Sequence, residues 1–501
     1  MVASKGTQDA VQELTSCLNI DTLLDLARRF SETYKRLAKE STEHFLITPV
    51  TALPTGEEHG KFLTIDVGGS NLRVGLVELA GETASGSNED KVSSRIKRNH
   101  DKSWPIGDHL KMDQPEDLFK WIGDCMAEVI REAIDSTSLA RNCEILLGVT
   151  FSFPMAQTKL SEATLLPMGK GFAITTNLNL GEMLLAGYAR HCSPSGGLPG
   201  IRVAAITNDT VATFVSLAYA VKAAPNSRVA IGLIVGTGTN ATVPMSPKLL
   251  HPDKQADLQD ASADTNVVIN TEWTIRGTDK PLEDLGIKTT WDRRLDSASD
   301  APGFQPFEYM TSGRYIGEIV RLAFVEILLD EIDVAGIPSA LRWKDALPTR
   351  FLSEVVARLD EYTVQVQLEQ KFPSNNFDNR FWTSARVREL HDLARAVQRR
   401  SSALIAAASI GLLDCVGDIN LNKDNNDQTA NGQPEVEELV IAYTGSTIAQ
   451  YPHWLDDCQG WIDELVAASA TNSDKRVVLK EALDGGIIGA AVLAGMGIGI
   501  P

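Results

Sequence analysis

Apolar positions recur at helical spacing near the start of the chain: Val11, Leu14 and Leu18, then Leu23, Leu24, Leu26 and Phe30, within a stretch read as helical from 7 to 45. The period changes after the polar segment TALPTGEEHG. KFLTIDVGGSNLRVGLVEL (61–79) is two apolar runs around a Gly-Gly turn, the pattern of a β-hairpin. A helix is predicted over 115–137, opening with Pro115 and Glu116, and CEILLGVTFSFP reads as an apolar strand stopped by Pro154. RVAAITNDTVATFVSLAYA is a strand that runs into a helix, with Asp209 and Thr210 at the junction. RVAIGLIVGTGTNATV repeats the strand–turn–strand pattern, and helices dominate 305–415. The polar stretch 417–437 predicts a loop before the strand LVIAYTG.

Three glycine turns therefore recur, DVGGSN, VGTGTN and YTGST, in strand-rich units that alternate with helices. Such a repeat predicts an α/β protein built from two related lobes that face a cleft. The cleft is the expected site.

Composition narrows the function. A net charge of -19 on 501 residues argues against nucleic acid or an anionic membrane as the main partner. It leaves room for a phosphorylated small molecule held by backbone N–H groups. The six cysteines are scattered without a CxxC pair, which fits reduced structural thiols and a cytoplasmic setting. No basic and apolar leader is visible at the N-terminus. The terminal GGIIGAAVLAGMGIGIP carries six glycines and falls short of the roughly 18–20 residues of a span, so it is read as a buried helix.

Four segments carry candidate chemistry. In Asp66–Arg73, Gly68 and Gly69 let N–H groups approach an anion, Ser70 and Asn71 add hydrogen-bonding groups, Arg73 adds a cation, and Asp66 is an acid able to hold a metal-bound water. An ordinary hairpin turn explains the same residues. In Thr207-Asn208-Asp209-Thr210, a carboxylate at a strand–helix junction beside an amide suits a general base; a simple helix cap is the alternative. The turns with Thr237 and Asn240, and with Gly445, Ser446 and Thr447, place hydroxyls beside glycine. Glu272 and Glu308 are acids in apolar surroundings that either face a hydroxylated ligand or sit in exposed loops.

In this order, DVGGSNLRVGLVEL, LLGVTFSFP, AAITNDTVATF, IGLIVGTGTNATV, INTEWTIRG, FEYMTSGRYIGEIVRLAF and YTGSTIAQYPHW resemble the eukaryotic hexokinases over about residues 10–500. The resemblance implies the actin-like ATPase (ribonuclease H-like) fold, two lobes around a cleft, with 60–205 and the terminal helix 486–501 in the small lobe and 1–59 and 206–485 in the large one. It implies ATP with Mg2+, the metal carried by ATP and held by Asp66 through water if at all. Ser152, Phe153, Gly169, Lys170, Asn208, Asp209, Asn240, Glu272 and Glu308 would then hold the sugar, with Asp209 the base and Lys170 between sugar and phosphate. Gly68, Gly69, Ser70, Asn71, Arg73, Thr237, Gly445, Ser446 and Thr447 would hold the nucleotide.

The departures are informative. Met168-Gly169-Lys170 stands where the family has Trp-Thr-Lys, Thr444 where it has Asp, and GGIIGAA (485–491) where it has Gly-Ser-Gly-Lys-Gly-Ala-Ala. With PTGEEHG, KSWPIG and FQPFEYMTSGRY, they resemble the fungal N-acetylglucosamine kinase branch. On that reading Gly169 and Met168 make room for the acetamido group, and Ile487 and Ile488 cover the adenine. Phosphorylation of glucose or another hexose is the alternative, as is a hexokinase-like sensor that binds sugar without turnover.

Overall fold

The computed structural model describes the chain except residues 1–3, 70, 82–94, 108, 111–114, 142, 154, 166–177, 193–196, 222–225, 257–265, 376–380, 422–435, 469–471 and 498–501. Ser70, Met168, Gly169, Lys170 and most of the 417–437 loop thus lie outside the described residues.

Two sheets carry the molecule. The first contains β2 (His59–Val67), β3 (Asn71–Ala80), β4 (Ile96–Pro105), β5 (Ile145–Phe151) and β9 (Ile201–Thr207), in the order β4-β3-β2-β5-β9. The second contains β1 (Leu46–Ile47), β10 (Ser227–Val235), β11 (Thr239–Met245), β12 (Val267–Asn270), β13 (Glu437–Thr444) and β14 (Lys475–Glu481), in the order β1-β12-β11-β10-β13-β14. A small antiparallel sheet of β6 (Met155–Lys159), β7 (Glu162–Leu165) and β8 (Leu178–Asn179) completes the set.

The two large sheets repeat one plan. In each, the first strand pairs antiparallel with the second, the second antiparallel with the third, and two further strands add parallel on the other side of the first. Two of the three recurrent glycine turns, DVGGSN and VGTGTN, are the first hairpin of each plan, and the third, YTGST, leads from β13 into the helix Ser446–Gln450. That is why strand–Gly–strand units could be read along the chain.

Each sheet buries its own core. Helices Pro115–Asp135 and Leu180–Cys192 cover the five-stranded sheet, and they cross where Gly123 meets Gly187: a Cβ at either position would collide with the other helix's backbone. The Ile20–Glu40 and Ser384–Val416 helices pack under the six-stranded sheet. The first is capped by Asn19, whose side chain accepts from Thr22 N (2.9 Å). The second ends at Gly417 with φ 85°. Expected as one helical stretch, residues 7–45 fold as two helices, Lys5–Thr15 and Ile20–Glu40, followed by β1.

Between the two sheets lie the Asp209–Val221 helix and the terminal Gly485–Met496 helix. They touch through small residues: Gly489 stands against the backbone of Ala212, and Gly148 of β5 against that of Ala490. A third core, with Phe62, Phe214, Val440 and Val492, fills the space around them. The apolar C-terminus is thus a buried structural helix, and among the described residues no helix is long and apolar enough to cross a membrane.

Candidate active site

The carboxyl ends of parallel strands converge where the sequence placed its turns. β2, β5 and β9 run in step, with Asp66 opposite Thr150 and Thr150 opposite Thr207. Their ends deliver Asp66, Ser152 and Asn208 to one edge. Ser152 N donates to Val67 O (3.0 Å), and Phe153 is buried with its ring 4.8 Å from that of Phe151. Ligands of open α/β sheets collect at such an edge.

The 68–71 turn is closed by Gly68 N donating to Asn71 O (2.9 Å), and a side chain at Gly69 would meet open space. Across the edge, β10 and β13 pair so that Ile234 faces Thr444, bringing the 236–238 and 444–447 turns together. Gly445 has φ 124°, and a Cβ there would lie 2.5 Å from the Val235 carbonyl carbon. Only glycine fits so close a crossing. Gly236 O receives Gly313 N (2.7 Å) and Thr447 Oγ1 (3.1 Å), which locks a third segment onto the two turns. Thr447 is therefore buried as a brace, whereas Ser446 and Thr237 are exposed.

Asn208, one residue before the helix, is its cap: its Oδ1 accepts from Val211 N (2.8 Å) and Thr210 Oγ1 (3.1 Å). The capping role weighed for Asp209 belongs to its neighbour. Asp209 Oδ1 accepts from Thr210 N (2.9 Å), and the side chain is only half-buried.

The acids and amides of the second sheet form a linked set. Asn240 Nδ2 donates to Asn270 Oδ1 (2.8 Å), and Asn270 Nδ2 donates to Glu272 Oε1 (2.8 Å). Glu272 holds a left-handed φ of 47°, which turns the chain sharply after β12. Glu308, in the Pro306–Thr311 helix, is 4% exposed and accepts from Thr239 N (3.1 Å). Its Oε2 would lie 2.9 Å from a Cβ at Gly238, so glycine there admits the carboxylate. Neither glutamate is an exposed loop position.

Asp66 has a strongly perturbed environment. Burial pushes its carboxyl up to about 7; Arg73 opposes the rise, and Asp209 and Asp484 add to it. Gly486, at the start of the terminal helix, presses on this carboxylate so closely that any side chain would collide with it. Thr150 Oγ1 donates to Gly486 O (2.8 Å), fixing the helix start over the strand ends. Sequence reasoning missed Asn270, Gly313, Asp484 and Gly486; apart from the Gly-rich spelling at 485–489, nothing local marks them.

One expectation needs correction. Ile487 is 3% exposed and belongs to the core between the sheets, so it cannot cover an adenine. Of the pair, only Ile488 is partly open.

Two sheets of one plan, with glycine turns and carboxylates gathered at their strand ends, define the actin-like ATPase fold. Comparison with solved structures agrees: a hexokinase from Schistosoma mansoni complexed with glucose superposes with a TM-score of 0.75 at 25% identity, covering 98% of this chain and 99% of that one. A second hexokinase structure, at 24% identity and a TM-score of 0.71, supports the fold alone. The chain belongs to the hexokinase family, whose sequence models match residues 10–219 and 230–496. Among relatives, Hexokinase-5 of Oryza sativa subsp. japonica is 31% identical over 90% of this chain and 80% of its own length. Hexokinase-1 of Nicotiana tabacum is 30% identical over 98% and 88%. The match to human Hexokinase HKDC1, at 34% identity, takes in 69% of this chain and only 34% of that protein.

Proposed function

We propose that this protein phosphorylates the 6-hydroxyl of a hexose with ATP, Asp209 acting as general base. The observation that carries the reading is the linked set Asn240–Asn270–Glu272, with Glu308 held beside it by the Thr239 N–H. Amides and carboxylates fixed in this way accept and donate to several sugar hydroxyls at once, and hold one hydroxyl in a single orientation.

The chain's own residues suit a nucleotide. The open position at Gly69, the exposed hydroxyls of Thr237 and Ser446 and the left-handed Gly445 suit backbone and hydroxyl contacts to phosphates. A carboxyl lifted to about 7 by burial and two carboxylate neighbours, as at Asp66, is relieved by a cation. Mg2+ would come on the phosphates and meet Asp66 through water. Mg-ATP supplies the γ-phosphoryl group and neutralises its charge. Asp209 takes the proton of the attacking hydroxyl, and Arg73 and Lys170 stabilise the transferring phosphoryl by charge. The two helices between the sheets are the natural hinge for closing 60–205 onto the rest, which would exclude water.

For the sugar, the relatives described above are named hexokinases and the Schistosoma mansoni structure holds glucose, which supports a plain hexose first. N-acetylglucosamine, placed first on sequence alone, is the second reading. It rests on Gly169 and Met168, where bulk is lost from the sugar loop. A coupled assay with glucose, mannose, glucosamine and N-acetylglucosamine separates them: the first reading predicts the highest kcat/KM on a plain hexose. Turnover of N-acetylglucosamine alone would replace it with the second. Sugar binding by calorimetry without ATP consumption would instead establish a sensor.

A further inference from the structure

A charged relay runs from the edge of the five-stranded sheet to the mouth of the 68–71 turn. The pairing of β3 with β4 is interrupted between Val74 and Leu76, where His100 takes a left-handed φ of 57°. Gly75 sits at this bulge, and any side chain on it would overlap the Asp101 carboxylate. The space is used: Asp101 Oδ2 pairs with Arg98 Nε (3.0 Å), and Arg98 Nη1 pairs with Asp484 Oδ2. The other oxygen of Asp484 receives Arg73 Nη1 (3.1 Å). Asp484 itself is held at φ 51° by the turn into the terminal helix, two residues before the Gly486 that touches Asp66.

The geometry orients Arg73 without using it up. Arg73 meets Asp484 through Nη1, while its side chain remains 50% exposed. A guanidinium carries five donors, so the face away from Asp484 keeps enough of them for a phosphate. Two arginines and two aspartates leave the relay neutral, so it adds no net repulsion against an incoming anion.

We propose that Asp484 is a positioning residue: anchored by Arg98, it aims Arg73 over the 68–71 turn so that the free guanidinium donors meet the nucleotide's phosphates. This rests on the kinase reading of the same site, and the test keeps the two apart. MgADP affinity by calorimetry, KM for ATP and for sugar, and thermal melting would be measured on the full chain and on Asp484→Asn, Arg98→Met, Arg73→Met and Asp484→Asn/Arg73→Met. Losing one charge-assisted orientation should weaken MgADP binding about tenfold. KM for ATP should rise in step while KM for sugar stays within about twofold. Arg98→Met, which leaves Asp484 in place, should give a smaller loss of the same kind. Combined with Arg73→Met, Asp484→Asn should add nothing further, because both act through one guanidinium. Unchanged or tighter MgADP binding in Asp484→Asn would overturn the proposal, as would fully additive losses in the double variant. If no sugar is phosphorylated but MgADP binds and the cycle is non-additive, the kinase reading fails and the positioning role stands.

Discussion

Replacing Asp66 with Asn should stabilise the ligand-free protein while removing most of its activity. Asp66 titrates near 7 where a free carboxyl titrates at 3.8. The folded value lies above the unfolded one, so the carboxylate costs nothing below about pH 4; its cost grows as pH rises and levels off above about 7. At about 1.4 kcal/mol per pH unit, the full cost reaches about 4 kcal/mol. The side chain is ringed by protein yet partly exposed, so solvent screening should reduce this to about 2 kcal/mol. Asn keeps the shape and cannot ionise. Urea unfolding of both proteins at pH 5 and pH 8, without nucleotide, isolates the effect. Asp66→Asn should gain about 1 kcal/mol relative to wild type between the two pH values, because part of the cost has already accrued at pH 5. An equal pH dependence in the two proteins would refute the reasoning. Activity should fall as well, because on the proposed function Asp66 meets the phosphate-bound cation.

Three further outcomes follow from the packing and the polar set. Gly489→Ala drives a Cβ into the Ala212 backbone and should cost about 1–3 kcal/mol, read as a lower melting temperature, with kcat falling because the Asp209 helix shifts. Gly445→Ala forces a side chain into an unfavourable φ of 124° against Val235; it should raise KM for ATP with little change in KM for sugar. Glu272→Gln removes the charge that accepts from Asn270 and should raise KM for sugar about tenfold at nearly constant KM for ATP.

What could be read along the chain was local. The DVGGSN and VGTGTN hairpins announced themselves because glycine pairs and apolar runs sit within a few residues, and the same holds for the Asn208–Thr210 junction. Asp209 could not be told from a cap until the neighbouring Asn208 was seen to accept the capping bond from Val211 N. Partners brought by distant chain segments were invisible. Arg73 and Asp484 are 411 residues apart, and Thr150 and Gly486 are 336 apart. Ile487 misled because an apolar residue in an adenosine-site motif reads the same whether it faces a ligand or a core; only the helix's placement between two sheets decides. The glutamates were ambiguous for a related reason: their burial depends on the left-handed turn at Glu272 and the missing side chain at Gly238.

The central claim, that Asp209 takes the proton of the sugar hydroxyl, is tested most directly by comparing sugar-phosphate formation with sugar binding in Asp209→Asn. A general base contributes about a hundred- to ten-thousandfold, so kcat should fall by that factor while the calorimetric Kd for the preferred hexose changes by less than about tenfold. A variant that phosphorylates within a few-fold of wild type, or one that loses sugar binding and turnover in equal measure, would contradict it.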